Sequence, residues 1–291
     1  MTAALRLLLD GVFDYAGLFP PAALPMEDAA REYGDHVTGE ESWIVEAFVC
    51  PVAWLPDLLA QPPRGTDPWS LSVLGTSIDG LRQDLRAIEA FATEGSGRFL
   101  VTGYEVKAGP AVPERGALKA LAGAGFDLVY LELPWGETQA ESLAAIAEAD
   151  APELGAKART GGLEPSAFPS IEALAAFLQG CAQLEVPFKL TAGLHHPIRR
   201  HDPGVDAWMH GFLNVAIAGL LAYSHDLTRS EIAAILAETD AGAFVFEEES
   251  LGWGEHRAER DEVAAYRELF GSIGSCSIRE PLDDLAELRL L

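Results

Sequence analysis

The chain has 291 residues, 49% of them hydrophobic, and a formal net charge of −25. That charge excludes the basic patch of a nucleic-acid surface and disfavours anionic membranes, so the expected partner is a small molecule. Cys50, Cys181 and Cys276 are widely spaced, odd in number and form no CxxC pair, which argues against a disulfide framework and for free thiols in a reducing cytoplasm.

The run from Met1 to Asp10 lacks a cationic start and a cleavage site and does not read as a signal peptide. Apolar β-rich segments then alternate with helical patterns along the whole chain. Strands are expected at 7–13, 43–50, 69–75, 98–105, 127–133, 153–159, 187–192 and 243–248. Between them the periodicity predicts helices near 26–37, 53–60, 79–94, 114–124, 138–149, 170–184, 207–223 with 229–238, and 258–271. The segment 211–223 is apolar but too short to cross a membrane and fits a buried helix.

Eight strand–helix units imply a (β/α)8 TIM barrel, read as one domain over 1–291 with the tail after Gly274 packed on the barrel through the apolar stretch Leu285–Leu291. The alternative, an open doubly wound sheet, would be expected to carry a GxGxxG or P-loop sequence, and neither occurs. A homo-oligomer is compatible with this composition, and the localisation expected is cytoplasmic.

Active sites of such barrels lie at the C-terminal strand ends, and charged residues cluster there in this sequence. Lys157 and Lys189 stand on consecutive strands, in a chain with four lysines against sixteen arginines. A lysine amine can lose its proton and attack a carbonyl, whereas an arginine stays charged. Glu46, Glu105 and Glu132 fall on neighbouring strands, and Arg159 shares a face with Lys157, as Thr191 does with Lys189. Charges facing inward from an apolar wall must be paired, as an active site or as a structural ion network.

Other candidates flank these strands. Thr160, Gly161 and Gly162 follow the sixth, where glycines let backbone approach a ligand. His195 and His196 open a polar loop after the seventh and suit proton transfer. His210 and Asn214, four apart, share a helix face. Asp14 and Tyr15 follow the first strand candidate and are placed at the mouth.

The stretch from Lys157 to Gly193 resembles strands six and seven of class I, Schiff-base aldolases of the deoxyribose-phosphate aldolase type, with Lys157-Ala-Arg-Thr-Gly on one strand and Lys189-Leu-Thr-Ala-Gly on the next. The resemblance implies that Lys157 forms the imine, that Lys189 depresses its pKa by like charge, and that Glu105 shuttles protons. It also implies a cofactor-free lyase. The pattern departs from that family at His195-His196 and at the expected end of strand eight, where Glu247-Glu248-Glu249 would repel a phosphate, so a non-phosphorylated sugar, aldehyde or keto acid is the expected substrate.

Three readings follow. In the first, Lys157, Lys189, Glu105, Glu132, His195 and His196 carry imine chemistry, and Glu46, Arg159, Thr160, Gly161, Gly162, Thr191, His210, Asn214, Asp14 and Tyr15 bind substrate. In the second, a hydrolase or isomerase holds zinc or manganese on Glu46, Glu132, His195, His196 and His210. In the third, the barrel binds a small ligand without catalysis.

Overall fold

The computed structural model, which describes residues 1–291, closes eight parallel strands into a (β/α)8 barrel. The first seven run in chain order around the wall: β1 (Phe13–Tyr15), β2 (Val45–Pro51), β3 (Trp69–Leu74), β4 (Phe99–Lys107), β5 (Leu128–Glu132), β6 (Leu154–Arg159) and β7 (Phe188–Thr191). An excursion follows, with a hairpin of β8 (Arg200–Asp202) and β9 (Ala207–Met209), two helices, and an antiparallel sheet of β10 (Phe244–Phe246), β11 (Ser250–Trp253) and β12 (His256–Glu259). The chain then returns as β13 (Phe270–Ser275), which pairs with both β7 and β1 and closes the barrel.

The two ends of the barrel differ from the sequence expectation. Residues Ala3–Leu9 form a helix, with the Thr2 hydroxyl accepting from the Leu5 N–H and with Ala4, Leu5, Leu8 and Leu9 buried. That burial pattern has helical spacing, and the first barrel strand is the shorter segment at 13–15. The segment 243–248 is not the eighth barrel strand but the edge of the small antiparallel sheet. The actual closing strand, Phe-Gly-Ser-Ile-Gly-Ser, carries too little apolar side chain to stand out, and it follows a well-capped helix, Arg260–Leu269, whose expected span of 258–271 overlaps its first two residues. The helix predicted from 207 begins at Phe212, because 207–209 pairs as β9.

This correction also moves Glu247, Glu248 and Glu249. They lie at the turn before β11, and the Glu248 carbonyl accepts from the Ala4 N–H of the helix that leads into the N-terminal end of the barrel. They do not border the cavity at the opposite end, so the electrostatic objection to a phosphate falls away.

Alternation along the strands sorts side chains into two layers. Tyr15 and Phe48 face outward and pack with Tyr33 of the helix Met26–Thr38, at centroid distances of 6.1 Å and 5.3 Å. Facing inward, Tyr130 crosses the barrel floor. A Cβ at Gly271 would stand 1.9 Å from its hydroxyl, and one at Gly155 would stand 2.9 Å from its ring, so both glycines make room for it. The Lys189 ammonium lies 5.8 Å from the Tyr130 ring centroid, above this apolar floor. The helix Arg279–Glu287 buries Pro281, Leu282 and Leu285. No helix is long and apolar enough to cross a membrane.

Candidate active site

Above Tyr130 the inner wall turns from apolar to charged. Strand register places Glu132 beside Lys157 and Lys157 beside Lys189. The Lys157 amine lies 2.6 Å from Glu105 Oε2 and 2.9 Å from Glu132 Oε2. The Lys189 amine lies 2.6 Å from Glu105 Oε1 and donates a second bond to Asp14 Oδ2. Glu105 thus bridges both lysines, and its Oε1 also accepts from the Ser72 hydroxyl at 2.5 Å. Asp14 accepts from Ser272 Oγ at 2.8 Å and from the Ala47 N–H at 3.2 Å.

Side-chain exposures of 1% for Lys189, 2% for Glu105 and 6% for Lys157 make this a desolvated network. Burial works against ionisation of Glu105, but Lys157 and Lys189 outweigh it and hold the carboxyl below the usual carboxylate range. Burial likewise opposes charge on Lys189, but Asp14 and Glu105 overcome it and raise the amine above its ordinary value. Lys189 is therefore an ammonium whose charge is matched by two carboxylates. That arrangement anchors Glu105 more directly than it supplies the free like charge which the aldolase resemblance implies.

The network opens into a cavity of about 560 Å³ at the C-terminal end of the strands. Lys157, Lys189, Glu105, Glu132, Arg159, Gly162, Thr191, His195 and His196 all border it. His196 Nδ1 lies 2.6 Å from Asp284 Oδ2, and His195 Nδ1 lies 3.3 Å from Glu280 Oε2, so the last helix holds both imidazoles at the rim. His195, close beside it, keeps the Glu280 carboxyl below its ordinary value.

Other sequence candidates sit elsewhere. Glu46 has the outward parity of Phe48, with its carboxylate turned toward Gly11, so it lies behind the wall and not in the cavity. Tyr15 has the same outward fate, while Asp14 beside it points in. Thr160 donates to the Ala192 carbonyl at 2.5 Å, tying the ends of β6 and β7 together. Gly161 is a packing site, since a Cβ there would lie 2.7 Å from the Gly193 Cα.

His210 and Asn214 are anchors of the long loop and not substrate ligands. His210 Nε2 donates to the Pro169 carbonyl at 2.9 Å and Nδ1 accepts from Arg199 at 3.2 Å, and burial lowers its pKa to about 4. Asn214 accepts from the Arg199 N–H and donates to the carbonyls of Ile235 and Glu238. Both side chains are spent on backbone and Arg199. With Glu46 and His210 so placed, the five residues of the zinc or manganese reading do not converge, and no group of three or more His, Cys, Asp or Glu side chains is arranged to hold a metal ion.

Sequence reasoning missed Lys107, which borders the cavity at the end of β4. It shares the parity of Glu105, and alternation alone would have found it. It also missed Ser72, Ser272, Glu280 and Asp284, whose roles depend on contacts across the barrel. Cys50 follows the outward parity of Phe48, and burial pushes its thiol up to about 12, as expected of an inert core cysteine.

No protein-family model matches the chain, and no curated protein matches it.

Proposed function

We propose that this barrel is an enzyme acting on a small carbonyl compound through an imine on Lys157, of the kind used by lyases and aldolases. The observation that carries the reading is the division of labour between two buried lysines bridged by Glu105. Lys189 lies deep, clamped by Asp14 and Glu105, while Lys157 lies beside Glu132 where the cavity begins. An ion network kept for stability alone would have no need to open into a cavity of substrate size.

In this reading the Lys157 ammonium passes a proton to Glu132, 2.9 Å away, the freed amine adds to the substrate carbonyl carbon, and a proton of the adduct nitrogen moves to the new alkoxide to give the carbinolamine. Glu132 returns that proton to the carbinolamine hydroxyl, the C–O bond breaks, and water leaves. Ammonium and carbonyl thus become iminium and water, with one positive charge on nitrogen before and after. Glu105 and Glu132 face that nitrogen throughout, so they stabilise the iminium as they did the ammonium. Glu105 is fixed by Ser72 and Lys189 and acts as the rigid counter-charge. His195 and His196, oriented by Glu280 and Asp284, are placed to move a proton on the substrate farther from the imine.

The test is reductive trapping. Incubation with borohydride and a panel of small aldehydes and keto acids should add the mass of one reduced carbonyl compound to the wild-type chain. Lys157→Arg should gain nothing. An unmodified wild-type protein across the panel would remove the imine reading.

A further inference from the structure

Three of the chain's four lysines, Lys107, Lys157 and Lys189, border one cavity together with Arg159, in a protein of net charge −25. Lys157 and Lys189 are committed to carboxylates. Lys107 and Arg159 are not: neither head group has an ion-pair or hydrogen-bond partner, although acids border the same cavity. Those acids are engaged elsewhere, Glu105 and Glu132 with the lysines, Glu280 with His195 at 3.3 Å, and Asp202 with the Gly204 N–H at 2.6 Å.

Both free cations end their strands on the inner face. Lys107 is the last residue of β4, in register with Glu132, and Arg159 is the last residue of β6. The Arg159 backbone is braced, because Trp135 Nε1 donates to its carbonyl at 2.6 Å. Arg159 follows Lys157 by two residues on the same face, about 6.6 Å along the strand. Asp14, Glu105, Glu132, Asp202 and Glu280 together outnumber the four cations, so the attraction for an anion is local to the Lys107 and Arg159 head groups, whose donors no acid of the cavity occupies. A guanidinium takes a carboxylate or a phosphate through two parallel N–H bonds, and an ammonium adds a point charge.

We infer that the cavity takes a small anionic carbonyl compound, its carboxylate or phosphate held between Lys107 and Arg159 and its carbonyl group a few bonds away at Lys157. The carbonyl end rests on the imine reading, whereas the anion site rests only on the two free cations.

Calorimetric titration of the wild-type protein with malonate and, separately, with inorganic phosphate tests the anion site, since neither probe can form an imine. One of the two should bind, and whichever binds identifies the anion. Lys107→Gln and Arg159→Gln should each weaken it at least about tenfold, as expected when one charge-assisted contact is lost. Failure of both probes to bind wild type, or binding to the variants as tight as to wild type, overturns the inference. Borohydride trapping then tests the carbonyl end with matched pairs: glyoxylate against glycolaldehyde if malonate binds, or glyceraldehyde 3-phosphate against glyceraldehyde if phosphate binds. The anionic member should be trapped at least about tenfold faster, and Arg159→Gln should erase that preference. Trapping that ignores the charge overturns the link between anion and carbonyl. Anion binding with no trapping of any aldehyde upholds the anion site and removes the imine.

Discussion

Lys157 and Lys189 are register partners on adjacent strands, and the two oxygens of Glu105 are divided between them, each 2.6 Å from one amine. Like charges this close persist in a desolvated interior only because the carboxylate between them, with Asp14 and Glu132 on the flanks, balances them.

Glu105→Gln should therefore be costly despite its near-identical shape. It leaves two buried ammonium groups facing a neutral amide, and breaking a buried ion pair in this way costs about 3–5 kcal/mol. Urea denaturation of the variant and wild type measures it. A loss below about 1 kcal/mol, the range of exposed pairs, would mean that the network is hydrated and contributes little.

Stability should also depend on pH in a way that assigns His210. Its folded pKa of about 4 lies below its ordinary 6.5, so the unfolded chain binds more protons between those values and stability falls as pH drops through that window. The full difference amounts to about 3 kcal/mol. Gln at this position keeps a donor for Pro169 and an acceptor for Arg199. Thermal denaturation of His210→Gln between pH 7 and 4 should show a shallower decline than wild type, and parallel curves would refute the assignment.

The alkaline limb belongs to Lys189. Its folded pKa is raised, so its contribution is complete below the ordinary lysine value and is lost as pH rises through the folded one. On the acid side, Glu105 is depressed, so its contribution is complete above the ordinary carboxylate value and declines as pH falls below it. Lys189→Met combined with Glu105→Leu removes both ionisations, and its denaturation curve should lose the decline above pH 10 expected of wild type.

Gly161→Ala probes the joint between β6 and β7. The added methyl would press on the Gly193 Cα at 2.7 Å and on the Phe168 ring at the same distance. Gly193 itself has φ +77°, in the left-handed region, so it cannot shift freely. Overpacking of this kind costs about 1–3 kcal/mol. Reductive trapping at Lys157 should slow as well, because the joint positions the ends of both lysine strands. Unchanged stability and trapping would show that the loops absorb the methyl.

The middle of the barrel was legible because β3 to β7 are apolar enough to stand out, and parity on β6 and β7 placed Lys157 with Arg159 and Lys189 with Thr191. The ends were not. Residues 7–9 fell within the expected strand 7–13 because Leu7, Leu8 and Leu9 are consecutive, although the buried positions of Ala3–Leu9 are helical. β13 was hidden because its glycines leave space that other strands fill, Tyr130 at Gly271 and Thr191 at Gly274, a reason visible only in three dimensions. Glu46 and Tyr15 were misplaced for a related reason: parity relates residues within one strand but does not say which face is inner. His210 and Asn214 do not share a helix face, because the helix starts at Phe212, and their partners are Arg199 and carbonyls of distant segments, which no local pattern reveals.

The central claim is that the amine of Lys157, and not that of Lys189 or Lys107, meets the substrate carbonyl. Peptide mapping by mass spectrometry after borohydride reduction in the presence of a trapped carbonyl compound tests it directly. The account predicts a single modified residue, Lys157, with Lys189 untouched behind Asp14 and Glu105. An adduct on Lys189 or Lys107, or none on any lysine, would contradict it.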